Sequence, residues 1–384
     1  MKLAALVAAG IAIRLAILAT TFGTTDAALV TAWARFATEH GVAGAYAQHT
    51  WVNHPPLSLA LMQGLYGISA KHFADLFRLQ QVLADCVSFA CLLALGSRRV
   101  ALLYFLSPVA IFISAFHGNS DATMVMFVLL ALVLLQREQP FAAGIALGAA
   151  IGIKIVPLLL MPLVVAYLWK RAATAPSKQA LFQFALSFAI TAGLMFAIPL
   201  SAAGTTLVSN VFGYRGVGTW WGFVSMAILG HAARAAELYI AANTFVELAL
   251  VAALAWWFWR RTEASLQQLI AMCGVMLGAV IVLGAGFGVQ YLIWPVAFLP
   301  FALRTREAVA LHAVLGVFLA IVYTHWSGGL PWSYANALNV TTNIVMIGWV
   351  AWAALAAACV RTMGQIGRIG PIGQIGQRQN PEVL

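Results

Sequence analysis

Thr24–Leu59 reads TTDAALVTAWARFATEHGVAGAYAQHTWVNHPPLSL. It lies between a first apolar run, Lys2–Phe22, and a long chain that is almost free of charge. It carries Asp26, Glu39, His40, His49 and His54, then Pro55-Pro56. A charge beside a membrane helix is expensive to place in lipid, so it is kept for pairing or for function. Within the stretch, Ala28, Leu29, Ala32, Trp33 and Phe36 recur at helical spacing. Asp26–Thr38 is therefore expected as an amphipathic helix lying in the interface. Gly41–His54 reads as a loop, with Tyr46, Trp51 and its histidines at head-group depth. Pro55-Pro56 suits the start of the next helix. The stretch reads as an active-site loop with Asp26 as its main chemical group. Asp26 also stands where a helix N-cap would, and that alternative stays open.

Composition sets the class. Of 384 residues, 63% are apolar and 8% charged, with mean hydropathy +0.92. A soluble domain carries about 25% charged residues. Apolar runs near 20 residues recur along the chain, so the expected fold is an all-α, polytopic transmembrane bundle of roughly 11–13 helices. The net charge of +10 points to cytoplasmic turns and lipid head groups rather than nucleic acid. Cys86, Cys91, Cys273 and Cys359 lie inside apolar runs without metal-ligand spacing and read as small buried hydrophobes. Arg14 interrupts the first apolar run, so that run is kept as a helix rather than a signal peptide. Ala-rich, Lys-poor usage fits a bacterial plasma membrane.

Arg-rich turns punctuate the chain: SRR at Ser97–Arg99, QREQ at Gln136–Gln139, WKR at Trp169–Arg171, RRTE at Arg260–Glu263 and RTRE at Arg304–Glu307. The positive-inside rule makes them cytoplasmic. Asp26 and the HGNSD turn, His117–Asp121, then face outward. Three apolar runs separate His54 from His117, where an even number of crossings is needed. Either one run, with the short Leu57–Ala70 the first candidate, does not fully cross, or SRR is not inside. Residues 1–362 are read as one membrane domain with its first outer loop at 23–54, and 363–384, with its QIG-RIG-PIG-QIG repeat, as a disordered Gly-rich tail.

Soluble catalytic motifs such as G-x-x-x-x-G-K-[ST], H-E-x-x-H and G-x-S-x-G are missing. The polar groups gather at helix ends on one expected face: Asp26, His54, His117, Asn119, Asp121, Arg215 and His325. That placement suits chemistry on a lipid substrate with a polar head. A flippase or transporter of a lipid-linked sugar is the competing reading, and it would need polar groups spread through the bilayer depth. Several readings stay paired. Lys154 either binds or snorkels. Asn119 and Asp121 either position a ligand or cap a helix. Arg215, with Trp220 and Trp221, either binds an anion or forms part of an aromatic belt, and Gln290, Tyr291 and Trp294 either line a groove or pack.

In order, Asp26, His54-Pro55-Pro56-Leu57, Gly118-Asn119-Ser120-Asp121, Lys154-Ile155-Val156-Pro157 and Gln290-Tyr291-Leu292-Ile293-Trp294 resemble the GT-C glycosyltransferases. The last three are most similar to the type-I mannosyltransferase of GPI synthesis and its bacterial polyprenol-phosphate-mannose relatives. The resemblance implies an inverting transfer of a hexosyl residue, mannose first, from a polyprenyl-phosphate sugar to a lipid-linked or glycan acceptor at the outer face of the membrane. It implies the first-loop Asp, here Asp26, as general base. Two departures stand out: Asp26 has no acidic neighbour, and His54 stands where relatives often have Tyr. Arg215 is the first candidate for the lipid phosphate, because guanidinium binds phosphate in bidentate fashion; Lys154, His54, His117, Asn119 and Asp121 complete the donor side. Tyr46, Trp51, Trp220, Trp221, Gln290, Tyr291, Trp294 and His325 are expected along the substrate groove. No cofactor is expected, and a lone Asp is a poor divalent site.

Overall fold

The computed structural model describes residues 2–48, 51–171, 175–214, 216, 218, 220–261, 264–337 and 339–367. Among the described residues seven helices are long and apolar enough to cross a membrane, or eight if one bent pair counts as a span. Among the described residues the chain is all-α apart from one two-residue strand pair, and the 16 helices there exceed the roughly 11–13 expected from run length because several apolar runs are broken.

Helix α1 (Lys2–Thr20) leads into strand β1 (Gly23–Thr24) and then α2 (Thr25–Gln48). The helix expected over Asp26–Thr38 thus continues through residues read as a loop. Gly41, at φ 73°, absorbs a kink, and Ala45 and Tyr46 beyond it are fully buried. Tyr46 is a core residue rather than a head-group one. Helix α3 (Pro56–Ile68) has 13 residues, about 20 Å at 1.5 Å per residue, against a hydrocarbon core of about 30 Å. In α4 (Phe73–Ala94), Arg78 donates to the carbonyls of Leu18 and Thr21 at the end of α1. The start of α4 therefore lies against the end of α1, and α3 is too short to span the hydrocarbon core and is not among the candidate spans.

The run expected at Ala101–Phe116 is α5 (Arg98–Phe105) and α6 (Pro108–Phe112) with a π-helical turn to His117, the two parts bent by 46°. Pro108 lacks the N–H a continuous helix would use, which places the break. Next come α7 (Asp121–Gln136) and α8 (Pro140–Ile153), an extended Lys154, a 3-10 turn and α9 (Met161–Arg171). Helix α10 (Ala175–Leu207) and a π-helical turn to Phe212 extend the span expected at Ala180–Leu200. Helices α11 (Gly222–Leu229), α12 (Ala233–Trp259) and α13 (Leu266–Leu283) follow. Val289–Phe301 is two 3-10 turns around the short α14 (Ile293–Val296), where Pro295 and Pro300 break up the run. Helix α15 (Thr305–Trp326), strand β2 (Tyr334–Ala335) and α16 (Thr342–Ile366) close the chain. Helix α16 runs four residues past the boundary expected at 362, and 368–384 lie outside the described residues.

Small residues let the core helices approach. A Cβ on Gly144 would sit 2.1 Å from Ser187 Oγ, and one on Gly148 2.9 Å from Thr191, so α8 and α10 meet along a glycine face,. The Arg-rich turns converge at one end of the bundle. Arg99 donates to Pro300 O, Leu303 O and Thr305 Oγ1; Arg171 pairs with Glu138; Trp169 lies 5.9 Å from Trp259. At the other end, β1 pairs in parallel with β2, and Thr25 and Ala337, just beyond the strands, border the cavity described next.

Candidate active site

The HGNSD turn and the start of α2 fit closely. Gly118 has φ 80°, and a Cβ there would lie 3.1 Å from Ala27 Cβ. Only glycine meets both demands without strain. Thr24 Oγ1 donates to His117 O at 2.7 Å and accepts from Asp26 N at 3.2 Å. Thr24 therefore serves the Asp26 N–H in the first turn of α2, and the Asp26 carboxylate reaches away from the helix instead of capping it.

Asp26 Oδ2 accepts from Asn119 Nδ2 at 2.7 Å and lies 3.1 Å from His117 Nε2. Both donors use one oxygen; among the described residues Oδ1 has no partner, and the side chain is 24% exposed. Burial pushes the carboxyl up, but the His117 hydrogen bond and charge, the Asn119 hydrogen bond and the Lys154 charge outweigh it and bring it to about 2. Asp26 is therefore ionised. Behind it, Asn119 Oδ1 accepts from Ser120 N and from His54 Nε2 at 3.1 Å. Burial first, then the Lys154 charge, hold the His54 imidazole down at about 3, so His54 is neutral and steadies Asn119 rather than supplying a cation. Its backbone carbonyl accepts from the buried Tyr46 hydroxyl.

Lys154 stands at the break between α8 and α9. Its Nζ is 2.9 Å from Asp121 Oδ1, which also accepts from Trp294 Nε1 at 2.6 Å. Asp121 is wholly buried, so it holds Lys154 and Trp294 and does not reach a ligand, contrary to its expected place on the donor. Nor does it cap α7: its bonds go to side chains. Nζ lies 5.1 Å from the Tyr291 ring, which stacks on Trp294 at 4.3 Å. Placing a site where membrane helices are interrupted exposes backbone and charge only to a cavity.

These groups border a cavity of about 190 Å³. Of the residues singled out in the sequence, Asp26, His54, His117, Asn119, Lys154, Trp220, Gln290, Tyr291 and Trp294 line it. Tyr46, Asp121, Trp221, Trp51 and His325 are not among its lining residues. Trp221 stacks on Phe287 at 3.7 Å and donates to Ile281 O, so it backs the wall. Trp51 is 5.9 Å from Trp33 and half exposed. His325 points its Nε2 into buried surroundings without a partner among the described residues. Arg215, the first phosphate candidate, lies outside the described residues. Sequence reasoning missed Trp33, Asn53, Tyr214, Phe287 and Trp326, all in the wall. Asn53, Tyr214 and Trp326 adjoin residues it did name; Trp33 and Phe287 are apolar at helical or core positions and carry no signal of their own. Among the described residues no three His, Cys, Asp or Glu side chains converge as a metal ligand set.

No curated protein matches the chain. The model of glycosyltransferase family 87 matches residues 51–284, more than half of its length, a stretch that takes in His54, the HGNSD turn and Lys154 and leaves Asp26 and α15 outside. An apolar bundle with an ionised carboxylate opening on a cavity, carrying that match, belongs to glycosyltransferase family 87, a GT-C-type family, and is a membrane-embedded glycosyltransferase.

Proposed function

We propose that the protein transfers a hexosyl residue, mannose first, from a polyprenyl-phosphate sugar to a lipid-linked or glycan acceptor, with inversion and with Asp26 as general base. The observation that carries this reading is the one-sided Asp26 carboxylate: Oδ2 holds two donors while Oδ1 has none among the described residues, beside a cavity. The acceptor hydroxyl attacks the anomeric carbon and passes its proton to Oδ1 as the bond from that carbon to the phosphate oxygen breaks. The polyprenyl phosphate leaves with an added negative charge, and Lys154 is the described cation at the cavity placed to meet it,. A carboxyl held at about 2 is a weak base before substrate arrives. A donor phosphate beside Lys154 offsets that lysine's charge and adds its own, which raises the Asp26 carboxyl toward the working range. The clustering of Arg-rich turns at the opposite end supports a cavity on the non-cytoplasmic face of the membrane, and the Ala-rich, Lys-poor composition supports a bacterial plasma membrane.

Detergent-purified protein with polyprenyl phosphates bearing labelled mannose, glucose, galactose or arabinose tests the reading, with nucleotide sugars as controls. Transfer from a lipid-phosphate donor without a sealed membrane is expected, fastest with mannose. Transfer only from nucleotide sugars would overturn it.

A further inference from the structure

His117 presents one ring nitrogen to Asp26 and the other to α15. Nε2 is 3.1 Å from Asp26 Oδ2, and Nδ1 is 3.0 Å from the hydroxyl of Tyr323. An ionised carboxylate has no proton to give, so the bond to Asp26 requires a proton on Nε2. The Tyr323 hydroxyl is placed to donate to Nδ1, which requires His117 to be the neutral imidazole with Nδ1 bare,. Tyr323 is fully buried and does not line the cavity. Its ring is fixed by Phe116 at 5.0 Å, Trp332 at 5.7 Å and Trp326 at 5.9 Å. The segment after α15 reinforces this placement: Trp332 Nε1 donates back to Thr324 Oγ1, and Ala337 N donates to Thr25 Oγ1 beside Asp26.

We infer that Tyr323 is a positioning residue for the transfer: by donating to His117 Nδ1 it fixes the Nε2–H tautomer, so that Oδ2 of Asp26 stays occupied and Oδ1 is the oxygen that takes the acceptor's proton. With the other tautomer, a nitrogen lone pair would face the carboxylate, Oδ2 would lose a donor, and the carboxylate would be free to turn. Tyr323 never touches substrate; its effect passes through His117, as outer partners commonly fix the tautomer of a working histidine. The consequence for turnover rests on the proposed reaction, while the tautomer itself does not.

The test uses the full chain with ¹⁵N-labelled histidine and compares wild type with Tyr323→Phe, His117 being assigned by its loss in His117→Gln. Wild type is expected to show His117 as the Nε2–H tautomer, and Tyr323→Phe a mixture of tautomers. An unchanged His117 signal in Tyr323→Phe, or a wild-type His117 that carries protons on both ring nitrogens, overturns the inference. With a polyprenyl-phosphate donor, Tyr323→Phe is expected to lower kcat about 10-fold, as for one lost hydrogen bond, with the donor KM unchanged. The same substitution on a His117→Gln background should cost nothing more, because the link is already cut. An equal loss on both backgrounds would mark Tyr323 as packing only and overturn the inference. If wild type transfers from no lipid-phosphate donor, the proposed reaction fails, and the ¹⁵N spectra still decide the role of Tyr323.

Discussion

Two carboxylates in this bundle are each held by a cationic or imidazole side chain, and they are finished differently. Asp85 accepts from Arg14 at 2.9 Å on one oxygen and from the Tyr104 hydroxyl at 2.7 Å on the other, with both members of the ion pair fully buried. Arg14 spends its remaining donors on Phe105 O and Gly10 O. Both carboxylate oxygens are used and the guanidinium is paired, as a charge in an apolar interior requires,. Asp26 also has two donors, but both sit on Oδ2, and its side chain is 24% exposed beside a cavity. One cluster ties α1, α4 and α5 together. The other keeps an oxygen in reserve. An open carboxylate oxygen marks function only where it faces a cavity, as at Asp26; the wholly buried Asp121 also leaves Oδ2 without a partner among the described residues, but away from the cavity lining.

The contrast breaks most sharply at Asp26. Asp26→Asn keeps an oxygen for Asn119 and removes the base, so kcat should fall about 10²–10⁴-fold while the protein stays folded and binds donor. Steady-state transfer and donor binding on one preparation check this, and near-normal kcat would show that the open oxygen is idle. Asp85→Ala should do the reverse. It strands a buried Arg14, which costs about 3–5 kcal/mol of stability, read as a lower thermal midpoint, while transfer per folded molecule is kept. The third cluster sharpens the comparison. Lys154→Met with Asp121→Asn removes both charges of the pair together, so the fold should survive, yet kcat/KM should drop by about 2–4 kcal/mol, as when a transition-state donor is lost. Normal kcat/KM in that double variant would make the Lys154–Asp121 pair structural, like Arg14–Asp85.

The smallest effect is on acid stability. The Asp26 carboxyl is depressed in the folded chain, from an ordinary 3.8 to about 2. Its contribution is present above the ordinary value and is lost as pH falls through the folded one. The difference in thermal midpoint between wild type and Asp26→Asn should therefore be constant from pH 8 to about 4 and shrink between about 4 and 2. A difference that changes between pH 8 and 5 would mean that Asp26 titrates there.

The legible part of this molecule is what charge and hydropathy encode. Few charged residues in an apolar chain must lie at helix ends or in pairs, so Asp26, the HGNSD turn and Lys154 stood out, and the cavity gathers them. The illegible part is what spacing cannot report. Asp85 pairs with Arg14 across 71 positions, and nothing local announces it. Trp33 and Phe287 sit at ordinary core positions, and their place in the wall depends on how distant helices cross. Helix α2 outruns its expected end because Gly41 bends the chain without stopping it. Asp121 looked like a ligand group because it is acidic; its wholly buried position makes it a support for Lys154.

The configuration of the product tests the central claim most directly. One open carboxylate acting as a base allows a single displacement, whereas retention by a double displacement needs a carboxylate nucleophile as well. With a donor of known anomeric configuration, NMR of the purified product should show the opposite anomer. A product that keeps the donor's configuration would contradict a base at Asp26.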